Sequence, residues 1–192
     1  MSIDSAHTRW WQIGEMVFGV PLLAAVALQL TVPLSFANSI FTFTLSLTGA
    51  ILCVLGIALI VATRRVFSKY SQPTDPGLPT RFMVTTGIFS VSRNPMYLGA
   101  VCWLVGIALV FKLAWMFIFL VPTLIACRSI LIKPEERYLA ARFGMEYQKY
   151  AASVNRWIGS KATRMGECSR GRMLMPILFK TFFETVLNGA GP

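Results

Sequence analysis

Two clusters of polar and aromatic residues in this 192-residue chain could do chemistry. The first runs Thr85-Thr86-Gly87-Ile88-Phe89-Ser90-Val91-Ser92-Arg93-Asn94-Pro95-Met96-Tyr97-Leu98-Gly99. The second comprises Glu135-Glu136, Leu139, Phe143-Gly144, Tyr147, Tyr150, Val154 and Arg156. Two apolar stretches, 97–111 and 113–132, lie between them and are joined by little more than Lys112. Apolar runs joined by so short a turn must fold back on each other. That reversal brings both polar clusters to the same end of a hairpin and predicts a cofactor pocket at a membrane surface.

The paired motifs resemble those of the isoprenylcysteine carboxyl methyltransferase family of integral membrane enzymes, over about residues 80–158. The resemblance implies S-adenosylmethionine as cofactor and methyl transfer to a lipophilic acceptor, a carboxylate in the reading favoured here. Site residues carried over with it are Arg81, Phe82, Met83, Val84, Phe89, Asn94, Pro95, Met96, Tyr97 and Glu135 as cofactor contacts. Arg93 and Asn94 are positioning candidates. The residue types suit that cofactor: Glu135 offers an acceptor for its hydroxyls or ammonium, Arg93 or Asn94 a donor for its carboxylate, and Phe89 and Tyr97 aromatic walls. Three positions depart from the family pattern. Phe89 replaces the usual tyrosine and keeps only the ring. Asn94 replaces the commonest histidine, keeping hydrogen-bonding capacity but not the ability to titrate. Leu131 stands where the prenyl-protein enzymes carry an acceptor-binding arginine, so a prenylcysteine substrate does not carry over.

The elements that must position these residues follow from composition. A mean hydropathy of +0.62 with 55% hydrophobic residues belongs to a membrane protein. Roughly 20 apolar residues are needed to cross a hydrocarbon core about 30 Å thick. The predicted fold is all-α with four transmembrane helices, at about 13–34, 40–63, 95–111 and 113–132, the third starting at Pro95 because proline suits a first helical turn. Gly49 and Gly56 in the second span are small enough to let another helix approach closely. After the fourth span, Lys133-Pro134-Glu135-Glu136 has the composition of a helix start. A surface amphipathic helix is expected over 134–157, either continuous or broken at Gly144, with Leu139, Phe143, Tyr147, Tyr150 and Val154 as its packing face. The methyltransferase domain thus spans 1–158. The 159–192 tail is expected to form an interfacial helix, because Pro176, Lys180 and Glu184 interrupt its apolar run.

The net charge of +10 is concentrated between spans two and three and after span four, while the 35–39 linker carries none. By the positive-inside rule this gives a multi-pass inner-membrane protein with both termini in the cytoplasm. Topology accounts for the charge, so nucleic acid is not an expected partner. The expected partners are the lipid bilayer and a lipophilic small-molecule or lipid acceptor. No metal site is expected: the sole histidine, His7, is far from any cysteine cluster. The absence of a G-x-G-x-x-G between strand and helix disfavours a Rossmann-type enzyme. Alternatives that the motifs leave open are a phospholipid or small-amine N-methyltransferase, a membrane reductase with a related C-terminal fold, and a non-catalytic membrane protein.

The charge pattern gives a topological test. Single cysteines at positions 37 and 112 should label from the periplasmic side, and one at 75 from the cytoplasmic side. Labelling of 37 and 75 from the same side contradicts the arrangement.

Overall fold

A computed structural model describes residues 14–34, 40–70, 80 and 82–159. The 1–13 lead-in, the 35–39 linker, the 71–79 loop, Arg81 and the tail beyond Gly159 with its expected interfacial helix lie outside the described residues. Six α-helices follow in order: α1 (Gly14–Thr31), α2 (Ile40–Lys69), α3 (Pro95–Val110), α4 (Ala114–Ala126), α5 (Lys133–Phe143) and α6 (Met145–Ser153). A short 3-10 turn occupies Gly87–Ser90, and a π-helical segment, Cys127–Ile132, joins α4 to α5 without a break. All regular secondary structure among the described residues is helical.

Among the described residues three helices are long and apolar enough to cross a membrane: Gly14–Thr31, Phe43–Lys69 and the joined Ala114–Phe143. The expected third span, 95–111, is only the 16-residue α3. At 1.5 Å per residue it is about 24 Å long, short of a typical hydrocarbon core. Its length is limited by Asn94 before Pro95 and by the turn at Lys112, whose φ of 55° ends the helix. There the Leu113 N–H returns to the Ala108 carbonyl at 2.8 Å, the six-to-one bond of a Schellman-type cap. The chain therefore reverses at Lys112, as the spacing predicts. The second span outruns its expected end at 63 by six residues, because Val66 and Phe67 pack beside Ile88 and Phe89.

The helix start expected at Lys133-Pro134 is not a start. Ile132 and Lys133 both have right-handed helical dihedrals, so the helix leaving the apolar run continues. Pro134 cannot donate to a carbonyl one turn back, and the turn before it widens to π geometry, in which Lys133 N–H bonds to the Arg128 carbonyl five residues earlier. The 134–157 helix is likewise not continuous. Gly144, at φ 52° and ψ −121°, separates α5 from α6, and Val154 leaves α6 in an extended conformation.

In lipid there is little hydrophobic drive between helices, so close packing of small residues must hold them together. The α2–α3 contact shows this. Gly49 faces Gly106 and Gly56 faces Gly99, two glycine pairs seven residues apart on antiparallel helices. A Cβ on Gly56 would lie 2.6 Å from the Gly99 carbonyl oxygen and 2.7 Å from Trp103 N, and one on Gly106 would lie 2.7 Å from the Gly49 carbonyl oxygen. On the other side of α3, Leu104 and Ala108 pack with Ala25 of α1 and Met116 of α4. The Trp115 indole N–H donates to the Val32 carbonyl at 2.8 Å and ties the start of α4 to the end of α1.

Gly56→Ala should therefore destabilise the protein by at least about 1–3 kcal/mol, since the new methyl meets backbone that cannot step aside. A Cβ added at Gly19 would have nothing within 4 Å. Gly19→Ala should accordingly be neutral or stabilising by up to about 1 kcal/mol. Thermal unfolding of both variants in detergent checks the contrast. Equal stability of the two would contradict the glycine contact.

Candidate functional site

The short α3 begins where the long α4–α5 helix emerges, so the first turn of one faces the first polar turn of the other. The Tyr97 hydroxyl donates to Glu135 Oε2 at 3.0 Å. This bond joins the two polar clusters across 38 residues of sequence. Val17, Cys127, Leu131 and Ile132 form the buried floor beneath it, with Tyr97 packed against them. Leu131 is 1% exposed, so this position of the floor is apolar and closed to water. Among the described residues, only one Glu135 oxygen is engaged.

Glu136, the next residue, turns to different partners. Arg156 grips it with two bonds, Nη2 to Oε2 at 2.7 Å and Nε to Oε1 at 2.9 Å. Arg93 Nη1 lies 3.2 Å from the same Oε1. The Arg93 side chain is 11% exposed and that of Glu136 18%, so water screens this triad little. Arg93 Nη1 also donates to the Tyr147 hydroxyl at 3.3 Å. The bidentate bond to Glu136 raises the Arg156 guanidinium above its ordinary range, while burial, and then the Glu136 charge, push the Tyr147 phenol up. Both groups thus stay protonated at neutral pH.

The segment after α6 closes over the first motif as a strap. The Arg93 N–H donates to the Asn155 carbonyl at 3.1 Å, and Gly159 N–H to the Val91 carbonyl at 2.8 Å. The Asn94 amide Nδ2 donates to the Arg156 carbonyl at 3.2 Å, and the Ser92 hydroxyl supports the Asn94 N–H at 3.1 Å. Asn94 is 7% exposed. Its dihedrals (φ −131°, ψ 57°) lie outside the helical region and end the loop just before Pro95 starts α3, as befits a residue preceding proline.

The structure thus brings Asn94, Pro95, Tyr97 and Glu135 together and gives Arg93 and Asn94 partners within the protein. The donors expected to meet a cofactor carboxylate are largely committed to Glu136, Tyr147 and the strap. One is not: Arg93 Nε is buried with no acceptor among the described residues. Pro95 is buried and Met96 half-buried beside this turn. Phe89 lies elsewhere, stacked on Phe67 with ring centroids 5.4 Å apart and packed with Ala62 and Ile88. The Tyr150 hydroxyl donates to the Phe89 carbonyl at 2.7 Å, and burial keeps that phenol protonated. Met83 and Val84 are half-buried, Val84 against the Phe89 cluster, while Phe82 is 62% exposed. Arg81 lies outside the described residues.

Sequence reasoning misses two groups. Glu136 reads as a helix-dipole partner, yet it takes both arginines. Tyr138 belongs to neither motif, but it is 4% exposed and its hydroxyl accepts from the Thr80 N–H at 3.1 Å, pinning the loop before the first motif to α5. Helical spacing carries a signal for Tyr138: it lies three and four residues from Glu135 and Arg142, and the Arg142 guanidinium sits over its ring at 6.0 Å.

Glu136→Gln should release two guanidinium groups at once. Breaking a buried pair costs about 3–5 kcal/mol, and the lower end is expected here because the Arg156 side chain remains 30% exposed. Hydrogen exchange should show faster exchange at Arg93 and Gly159, with the α2–α3 contact unchanged. Unaltered protection at Arg93 and Gly159 would show that Glu136 does not hold the strap.

Residues 44–146 match the family model described as phospholipid methyltransferase. The match takes in Arg93, Tyr97, Glu135 and Glu136 and stops before Tyr147, Tyr150 and Arg156. Phospholipid and isoprenylcysteine carboxyl methyltransferases belong to one membrane methyltransferase superfamily. No curated protein and no solved structure gave a match. With more than half its length matched and its apolar helices surrounding the matched motifs, the chain belongs to the phospholipid methyltransferase family of membrane methyltransferases.

Proposed function

We propose that this chain transfers a methyl group from S-adenosylmethionine to a lipophilic acceptor at the cytoplasmic surface of the inner membrane. The observation that carries the reading is the 3.0 Å Tyr97–Glu135 bond, which sets a carboxylate at the end of an apolar hairpin inside the family match. The residues fit the cofactor. Glu135 keeps an oxygen for a hydroxyl or ammonium, and Arg93 Nε, without an acceptor among the described residues, is a buried donor in the neighbouring motif. A buried donor without an acceptor costs about 1–3 kcal/mol, a cost that a bound carboxylate would remove.

The bound cofactor supplies an electrophilic methyl on a sulfonium. What the protein's own residues do is bind, orient and exclude water. Alignment of acceptor and methyl carbon is the main contribution to such a displacement. Tyr97 fixes the Glu135 carboxylate, and the Glu136 triad with the strap fixes the loop that precedes α3. A direct displacement needs no general base when the acceptor is an ionised carboxylate. An amine acceptor must lose a proton before or during attack. The phospholipid methyltransferase match favours the amine of a lipid headgroup over the carboxylate that the isoprenylcysteine resemblance implies.

The test uses membranes containing the protein and methyl-labelled S-adenosylmethionine. Label should enter the lipid extract and, if it is on nitrogen, remain non-volatile after alkali. Release as methanol indicates a carboxyl ester, and absence of lipid-phase label contradicts the proposal. Glu135→Gln should weaken cofactor affinity at least about tenfold, the loss of one charge-assisted hydrogen bond. Calorimetry with the demethylated cofactor checks this, and unchanged affinity would assign Glu135 a purely structural role.

A further inference from the structure

The α4–α5 helix presents a second surface, facing away from Glu135. Ile118, Val121 and Ile125 are 57%, 62% and 63% exposed, and they follow one another at spacings of three and four along one face. Arg128 comes three residues later and continues that face. In a regular α-helix Lys133 would then fall out of line. The π turn restores it, because the Lys133 N–H bonds to the Arg128 carbonyl and stacks the two residues one turn apart. Arg137 follows four residues on. The result is a strip with three exposed branched apolar residues below and three exposed cations above.

Among the described residues these cations have no counter-ion. The carboxylates there are Glu15, Glu135, Glu136 and Glu146. Glu135 is bonded to Tyr97, Glu136 pairs with Arg93 and Arg156, and none forms an ion pair with Arg128, Lys133 or Arg137. Like charges one turn apart repel, so stacking them is unfavourable until an anion sits alongside. The level is also informative. The apolar run from Ala114 to Ile132 spans about 28 Å at 1.5 Å per residue, close to a hydrocarbon core. Lys133 and Arg137 therefore stand at headgroup depth, and Arg128, just inside, can extend its guanidinium outward.

We propose that this strip is a docking site for an anionic phospholipid, with acyl chains along Ile118, Val121 and Ile125 and the headgroup phosphate on Arg128, Lys133 and Arg137. The apolar lower half favours a lipid over a soluble anion or a nucleic acid. Guanidinium forks bind phosphate oxygens in pairs, which suits the two arginines that flank the lysine. The inference rests on the membrane character of the helix and not on methyl transfer, so either stands if the other fails.

The probe is spin-labelled phosphatidylglycerol, compared with spin-labelled phosphatidylcholine, on the full chain reconstituted in phosphatidylcholine vesicles. The wild type should immobilise phosphatidylglycerol preferentially, by at least about fivefold at low salt, and the preference should shrink as salt is raised. The triple variant Arg128→Gln, Lys133→Gln, Arg137→Gln should lose it. Arg128→Lys with Arg137→Lys should keep most of it and shows that the helix still inserts. Arg64→Gln, Arg65→Gln, Lys69→Gln removes the same charge from α2 and should leave the preference intact. A retained preference in the first variant, or an equal loss in the α2 variant, would overturn the site.

Discussion

Successive residues on an α-helix point about 100° apart, so two adjacent carboxylates cannot serve one partner. Glu135 and Glu136 use that divergence. One faces α3 and takes the Tyr97 hydroxyl, and the other faces the strap and takes Arg156 and Arg93. The first polar turn of the long helix thereby fixes two other parts of the chain at once, the start of α3 and the segment after α6. The loop carrying Arg93 and Asn94 is held between them. On the lipid side, α2 and α3 meet mainly through glycines, and the polar restraint on that loop comes from the two glutamates, Tyr147 and the strap.

The π turn at Cys127–Ile132 sits directly before this pair. An i→i+5 turn adds a residue relative to an α-turn and so rotates everything that follows. Converting it to α geometry would swing Glu135 and Glu136 around the helix axis, away from Tyr97 and Arg93. The irregularity thus sets the direction of both carboxylates and, on the opposite face, the alignment of Arg128 with Lys133. Pro134 supplies a local reason for it, having no N–H to return to the preceding turn.

Much of the architecture is legible in the residues. A single polar residue between two apolar runs allows only a tight hairpin, and Lys112 makes one. Pro95 marks the start of α3, and Gly144 the break between α5 and α6. The continuity of the helix through Lys133-Pro134 is not legible, because a proline followed by acids has the composition of a beginning, whereas the tertiary burial of Leu131 and Ile132 just before it leaves no local pattern. Nor is the extension of α2 beyond residue 63, which depends on Phe67 meeting Phe89 from a distant loop. At the site, residue types identify donors and acceptors but not their assignments. Arg93 and Asn94 are equally suited to a ligand or to the chain itself, and Glu136, Tyr147 and the strap at 154–159 together decide for the chain in most of their bonds. Glu136 reads locally as a dipole partner because its two arginines lie 43 and 20 residues away in sequence, beyond any local pattern.

In the proposed cofactor site, Tyr97 and Glu135 act as one unit. A double-mutant cycle of Tyr97→Phe and Glu135→Gln, read as S-adenosylmethionine affinity by calorimetry, tests it most directly. Coupled residues in contact give interaction energies of about 0.5–3 kcal/mol. Each single variant should bind more weakly, and the double variant should lose less than the sum. Strictly additive losses, or full affinity in both single variants, would contradict it.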